Sequence, residues 1–221
     1  MLELFSALMS DYMSSNNIPL DATVSTAGVI ALRALLKKRA QNARDILLEE
    51  IRLGNRAITF KSADEAAAII YRYMRAGEEG AARTNLRLLA RVIVGSAEGP
   101  GLYADDFLRW ADILAGLRRE EVIVLGVMQR LNDQPPNPEH AENPAFFFWE
   151  QCQAILNAEY LIEEHVSLAY TNALLRTGLI QLVSGSMKTP MVPLPTFALR
   201  DLSAILSVEG ILRSEQGAVA V

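Results

Sequence analysis

The chain has one cysteine, Cys152, and only two histidines, His140 and His165. A single thiol cannot close an intramolecular disulfide and has no second thiol to share a metal with. That scarcity fits a reducing setting and argues against a zinc ribbon or a disulfide scaffold. Long apolar runs are also missing. The most membrane-like stretch, 22–36, is broken by Thr23, Ser25, Thr26 and Arg33 and is shorter than the ~20 apolar residues a span needs. The start, Met1-Leu-Glu-Leu-Phe, lacks a basic segment and a cleavage site, so no secretory signal is expected and the protein is placed in the cytoplasm. Positive charge is not in excess either. A net charge of −5 speaks against a strongly basic nucleic-acid domain, while leaving room for a local basic patch.

What is present is core-forming material. Of 221 residues, 51% are apolar and 21% charged, a globular composition long enough for one large domain or two small ones. Residues 1–17 read as a short amphipathic helix with Leu2, Phe5, Leu8, Met9 and Tyr12 on one face. Such a face either docks on the body or is exchanged with a neighbouring subunit. Asp21 to about Leu53 is helical and ends at Gly54-Asn55. Arg33, Lys37 and Arg44 share an angular position there, Lys38 and Arg39 thicken the patch, and no acid lies between Asp21 and Asp45 to balance these five cations. This is a solvated face or a contact for nucleic acid or an acidic partner.

Ser62-Ala-Asp-Glu65 predicts a capping box opening a helix that ends near Gly77, with Glu78 and Glu79 starting the next. That next helix carries Leu86, Leu89, Ala90 and Ile93 on one side and the stripe Arg83, Arg87, Arg91 on another, closing at Gly95. The stripe is solvated, ion-paired, or a partner surface. Ser96 to Gly101 is a loop; Ser96 is off-centre between glycines and is no nucleophile elbow. Tyr103, Phe107, Trp110, Leu114 and Leu117 trace a core stripe, and Arg118 to Leu131 continues helically around Val122, Ile123, Leu125, Val127 and Met128.

Residues 132–143, with Pro135, Pro136 and Pro138, form a polar connection. Asn143-Pro144 restarts a helix, asparagine as cap and proline in the first turn. Phe146, Phe147, Phe148 and Trp149 cannot all point one way on a helix, so at least one ring should meet another element or a subunit. A stacking platform for bases is the other use of such rings.

Chemistry finds few handholds. Gly185-Ser-Met-Lys188-Thr189 has methionine where a P-loop needs glycine. Glu159 and Glu163 share a helix face at i+4, but His165 lies off it, so a surface charge group is expected and not a metal site. Cys152 reads as a packed thiol beside Phe148 or Ile155. No cofactor, metal set or catalytic constellation is expected, and hence no enzyme.

The last third has the order of a winged helix. A helix from about Ala158 buries Val166, Ala169, Ala173 and Leu174 and ends at Gly178 in the left-handed position. Strand 179–183, a turn at Ser184-Gly-Ser, Lys188 near the tip and a second extended piece, Met191–Pro195, follow. Thr196 then caps a helix containing Phe197, Leu199, Leu202, Ile205 and Leu206, and 214–221 is a loose tail. Tyr170, Thr171, Asn172, Arg176 and Lys188 are the candidate DNA contacts. Glu159, Glu163 and Glu164 precede them and oppose approach to phosphates.

The stretches Thr84–Ala90, Asp106–Leu114 with Glu120–Leu125, Leu174–Ile180 and Pro195–Leu202, taken in order, resemble the bacterial abortive-infection alpha family. The resemblance spans roughly the C-terminal two-thirds, although the last stretch lacks a glycine expected soon after its threonine. It implies a prokaryotic, mainly helical protein in a phage-defence context and transfers no catalytic residues.

The sequence therefore predicts a mainly α protein: a helical region over 1–131, a linker over 132–143, a winged-helix-like region with a short β-hairpin over 144–213, and a tail over 214–221. Its expected role is non-enzymatic, through protein contacts and homo-oligomerisation. Phe146, Phe147, Phe148, Trp149, Arg83, Arg87 and Arg91 are the candidate partner contacts. A winged-helix DNA-binding regulator is the alternative, and no membrane partner is expected.

Overall fold

Two blocks of helices emerge from how the amphipathic segments find cover. The computed structural model describes residues 26–54, 58, 60–96, 102–134, 143–184 and 191–219, with backbone alone for 26–31 and 216–219. The expected helix over 1–17, most of the loop at 96–101, His140, the three linker prolines and Lys188 lie outside the described residues. The protein is mainly helical with a C-terminal two-stranded antiparallel hairpin. It divides between Gly116 and Leu117, ahead of the boundary expected at 131.

The first unit holds α1 (Thr26–Gly54), α2 (Ala63–Glu79), α3 (Arg83–Gly95) and α4 (Ala104–Leu114). From Ala40 onward α1 buries Ala40, Ala43, Ile46, Leu47 and Ile51, a 3.6-residue stripe, against α2 and α3. The approach to α2 is close: a Cβ on Gly77 would meet the Ala43 Cβ at 2.6 Å. Phe107, Ala111 and Leu114 of α4 are fully buried and Trp110 nearly so, as the aromatic stripe predicts. Tyr103 departs from that stripe; it precedes α4 and lies exposed under Lys61.

Ser62 accepts from the Glu65 amide at 3.2 Å, so half of the expected capping box forms. The Glu65 carboxylate instead accepts from the Ala104 amide and serves the first turn of α4. α2 also runs past Gly77 to Glu79 and stops at Gly80, whose φ of 95° is the left-handed cap position. Glu78 and Glu79 thus close α2 instead of opening α3.

The second unit is built around α5 (Arg119–Asn132). α6 (Pro144–Tyr160), α7 (Glu164–Leu174), α8 (Phe197–Ile205), α9 (Val208–Val219) and the second strand all pack on it. That is why every residue from Glu121 to Gln129 is buried, and why α5 belongs with the C-terminal unit. The polar Gln129 is satisfied there, donating to the Leu206 carbonyl and accepting from the Val208 amide. α9 lies close over Gly126, where a Cβ would meet Leu212 at 3.1 Å. Residues 214–219, expected as tail, belong to α9, whose Ile211 and Leu212 are buried.

Asn143 caps α6 as predicted, its Oδ1 accepting from the Phe146 amide. The strands β1 (Ile180–Ser184) and β2 (Met191–Pro195) pair in register Ile180 with Pro195 and Ser184 with Met191. A two-stranded hairpin leaves each strand one edge without a ladder partner, which accommodates the prolines of β2. Thr196 precedes α8 but makes no side-chain cap; its hydroxyl lies against the Gly178 and Leu179 carbonyls and ties the base of the hairpin.

Charge is buried between α1 and α3 of the first unit. Glu50 of α1 is 1% exposed and pairs with Arg91 and with Arg87 of α3, while Arg87, itself buried, binds both oxygens of Glu49 at 2.9 Å. The Tyr73 hydroxyl, donating to Ala43 nearby, is pushed above its ordinary pKa by burial and by the Glu50 charge. A buried pair tolerates joint replacement better than loss of one member. Glu50→Ala should therefore lower the unfolding free energy by about 3 kcal/mol in urea titration. Glu50→Met combined with Arg87→Met should cost less than Glu50→Ala alone; a larger loss would refute the cluster's electrostatic reading.

Candidate functional site

The second unit presents helix, three-residue turn, helix and hairpin in succession, and the turn is the unusual part. Leu161 ends α6 in the left-handed region, φ 57°, with its amide donating to the Asn157 carbonyl at 3.1 Å. Leucine pays a steric penalty there that glycine does not. Its side chain is nevertheless 85% exposed. Ile162, one residue on, is buried. The helix expected to run unbroken from Ala158 is thus two helices, and Glu159 and Glu163 do not share a face. Glu159 is held by Arg130 at 2.9 and 3.1 Å, and Arg130 also reaches Glu209 of α9 at 2.8 Å. Among the described residues no three His, Cys, Asp or Glu side chains gather as a metal set.

α7 is turned differently from the expected burial of Val166, Ala169 and Ala173. It buries Ser167, Thr171 and Leu174, spaced four and three apart, and leaves Ala169 exposed. The Thr171 hydroxyl is satisfied within the helix, 2.5 Å from the Ser167 carbonyl, so this candidate DNA contact faces the core. Outward lie Glu164, His165, Leu168, Ala169 and Asn172, with Tyr170 half-buried.

Arg176, the cation offered to phosphate, is already engaged. Its two terminal nitrogens bind the two Glu121 oxygens at 2.6 and 2.9 Å, and the Arg118 amide donates to the same carboxylate at 2.8 Å. Glu121 is 1% exposed. The Arg176 fork, ahead of the Arg118 amide, holds its carboxyl below the usual carboxylate range despite burial. Lys188 lies outside the described residues.

The other candidates scatter. Trp149, Cys152 and Leu156 form the buried side of α6, while Phe146 is exposed and Phe147 and Phe148 half-buried. Cys152 is packed, as expected, and burial raises its thiol well above the ordinary pKa. Arg87 and Arg91 are committed to α1, and Arg83 is exposed beside a cleft of about 440 Å³ that it lines with Arg39, Asp45 and Glu49.

Leu161 carried no flag in the sequence. Neither glycine nor proline marks the stop; the only cue was Glu163-Glu164, which suits the positive start of a new helix. Beside Leu161 is a second cleft of about 360 Å³, lined by Arg119, Glu120, Ile123, Glu159, Tyr160, Leu161 and Ile162. Compared with protein-family models, curated proteins and solved structures, the chain matches none. No helix among the described residues is long and apolar enough to cross a membrane.

Two measurements probe this geometry. Arg176→Ala leaves a buried carboxylate with one donor and should cost about 1–2 kcal/mol at neutral pH, less than a fully buried pair because Arg176 is half exposed. Glu121 has its folded pKa below its unfolded one, so the pair's contribution is complete above the unfolded value and lost as pH falls through the folded one. The stability gap between wild type and Arg176→Ala, followed by denaturation across the acid range, should narrow on acidification. A gap that stays constant would contradict the assignment. Leu161→Gly should raise stability by about 0.5–1 kcal/mol in a thermal melt, the left-handed strain outweighing the flexibility of glycine.

Proposed function

We propose that this chain is a non-enzymatic interaction protein that works through protein contacts and self-association, its C-terminal unit being a winged-helix-like module whose exposed face meets protein and not duplex. The observation that carries this reading is the character of α7. The position of a recognition helix presents Leu168, Ala169 and two acids, Glu163 and Glu164, at its start, and its cation, Arg176, is bound to Glu121. A DNA-reading helix needs donors and positive charge where this one offers leucine and carboxylate. The abortive-infection resemblance supports a prokaryotic, phage-defence setting for such a role.

The order of helix, tight turn, helix and hairpin favours a second reading, a DNA-binding regulator. Fluorescence anisotropy with a labelled mixed-sequence duplex at low salt separates the two. The first reading expects no saturable rise, for wild type and for Arg176→Ala alike. Binding that falls steeply with salt, and that weakens in Arg176→Ala and Lys188→Ala, would replace it with the second.

A further inference from the structure

The start of α1 outruns the helices that cover it. The turn after α2 sits at Arg39, whose guanidinium donates to the Glu78 carbonyl and lies against Gly80. From Thr26 to Lys38 the helix continues for about 20 Å more. Stepping back by fours from the buried Ala40 gives Leu36, half-buried, and Leu32, 56% exposed; Leu35 beside them is 46% exposed. The stripe that packs on α2 and α3 therefore runs on into solvent. Lys37 and Lys38 flank it, exposed, and no acid occurs between Thr26 and Arg44.

The turn after α6 has the opposite sign. Leu161 and Leu168 are exposed apolar groups, and Ile123, Tyr160 and Ile162 supply part of the lining of the neighbouring cleft. Glu163 and Glu164 are exposed at this corner, and Glu120 and Glu159 line the cleft against Arg119. Arg130 is already held by Glu159 and Glu209.

We infer that these two faces are halves of one interface: the apolar, basic start of α1 (Leu32, Leu35, Lys37, Lys38) of one copy docks on the apolar, acidic α6–α7 corner (Leu161, Leu168, Glu163, Glu164) of a second copy. The inference rests on the self-association reading above and names its surfaces. Leucines at i and i+3 on a helix are the usual anchors for a hydrophobic groove, and the charges at the rim select the pairing. Because the two surfaces differ, the contact is head-to-tail, and successive copies close a ring or extend as a filament.

Sedimentation velocity over a concentration series tests this. Wild type should form species above the 24.3 kDa monomer. Leu32→Asp with Leu35→Asp, and separately Leu161→Asp with Leu168→Asp, should each give monomer with unchanged helical circular dichroism, since all four side chains are exposed. Mixed one to one, the two variants keep one intact face each and should form a dimer and nothing larger. Lys37→Glu with Lys38→Glu should weaken association about tenfold, and adding Glu163→Lys and Glu164→Lys to the same chain should restore it. A mixture that stays monomeric overturns the inference. So does a Leu161→Asp, Leu168→Asp chain that keeps the wild-type mass, an outcome that leaves self-association standing through another surface. A wild type that is monomeric throughout overturns both.

Discussion

An ionised carboxylate removed from water needs a cation or several donors at once, and the central helix of the second unit begins with one. Glu121 is buried because α5 is packed on all sides. Its requirement is met by Arg118's own amide and by Arg176, fifty-five residues away in the short turn that follows α7. That contact fixes where α7 ends relative to α5, and with it the place where Gly178 turns the chain into the hairpin. The first unit uses the same device, with Glu50 of α1 bringing in Arg87 and Arg91 of α3. In both units arginines that looked like binding groups are spent on internal order.

This explains what could be read from the sequence and what could not. Local signals were legible: Asn143 as a cap, Gly54 and Gly95 as stops, Gly178 in the left-handed position, the buried run of α5, and β2 to its exact ends. These depend on a residue and its near neighbours. Partner-dependent features were not. The capping-box pattern at Ser62 and Glu65 was present, but Glu65 found the start of α4 instead. Thr196 likewise served the hairpin base. The α6–α7 break lacked glycine and proline, so periodicity ran straight through Leu161. Thr171 looked like a surface group because threonine is polar, yet in a helix its hydroxyl can be satisfied by the carbonyl four residues back and then buried at little cost.

The α5 assignment shows the same limit on a larger scale. The proline-rich stretch after Asn132 is the strongest break in composition, and a boundary there is the natural expectation. Composition, however, marks where a chain is polar, not which neighbours a helix keeps. A run as apolar as Val122–Met128 must be enclosed on every side, and the segments that enclose α5, namely α6 to α9 and β2, all follow it in sequence. Its burial pattern was legible; its allegiance was set by tertiary packing.

Under the proposed docking, Leu161 brings stability and recognition into opposition. A leucine in left-handed geometry with its side chain in water gains little from folding at that position, and glycine would suit the backbone better. Its neighbour Ile162, by contrast, turns inward and helps seal α6 to the body of the unit. The turn thus divides two apolar residues between core and solvent, and the outward one lies beside a cleft lined in part by Ile123, Tyr160 and Ile162. Strain of this kind is sustained by the packing on either side, here the buried Leu156 and Ile162. A leucine so placed enlarges the apolar contact that the corner can offer to a docking helix, at a cost borne by the rest of the unit.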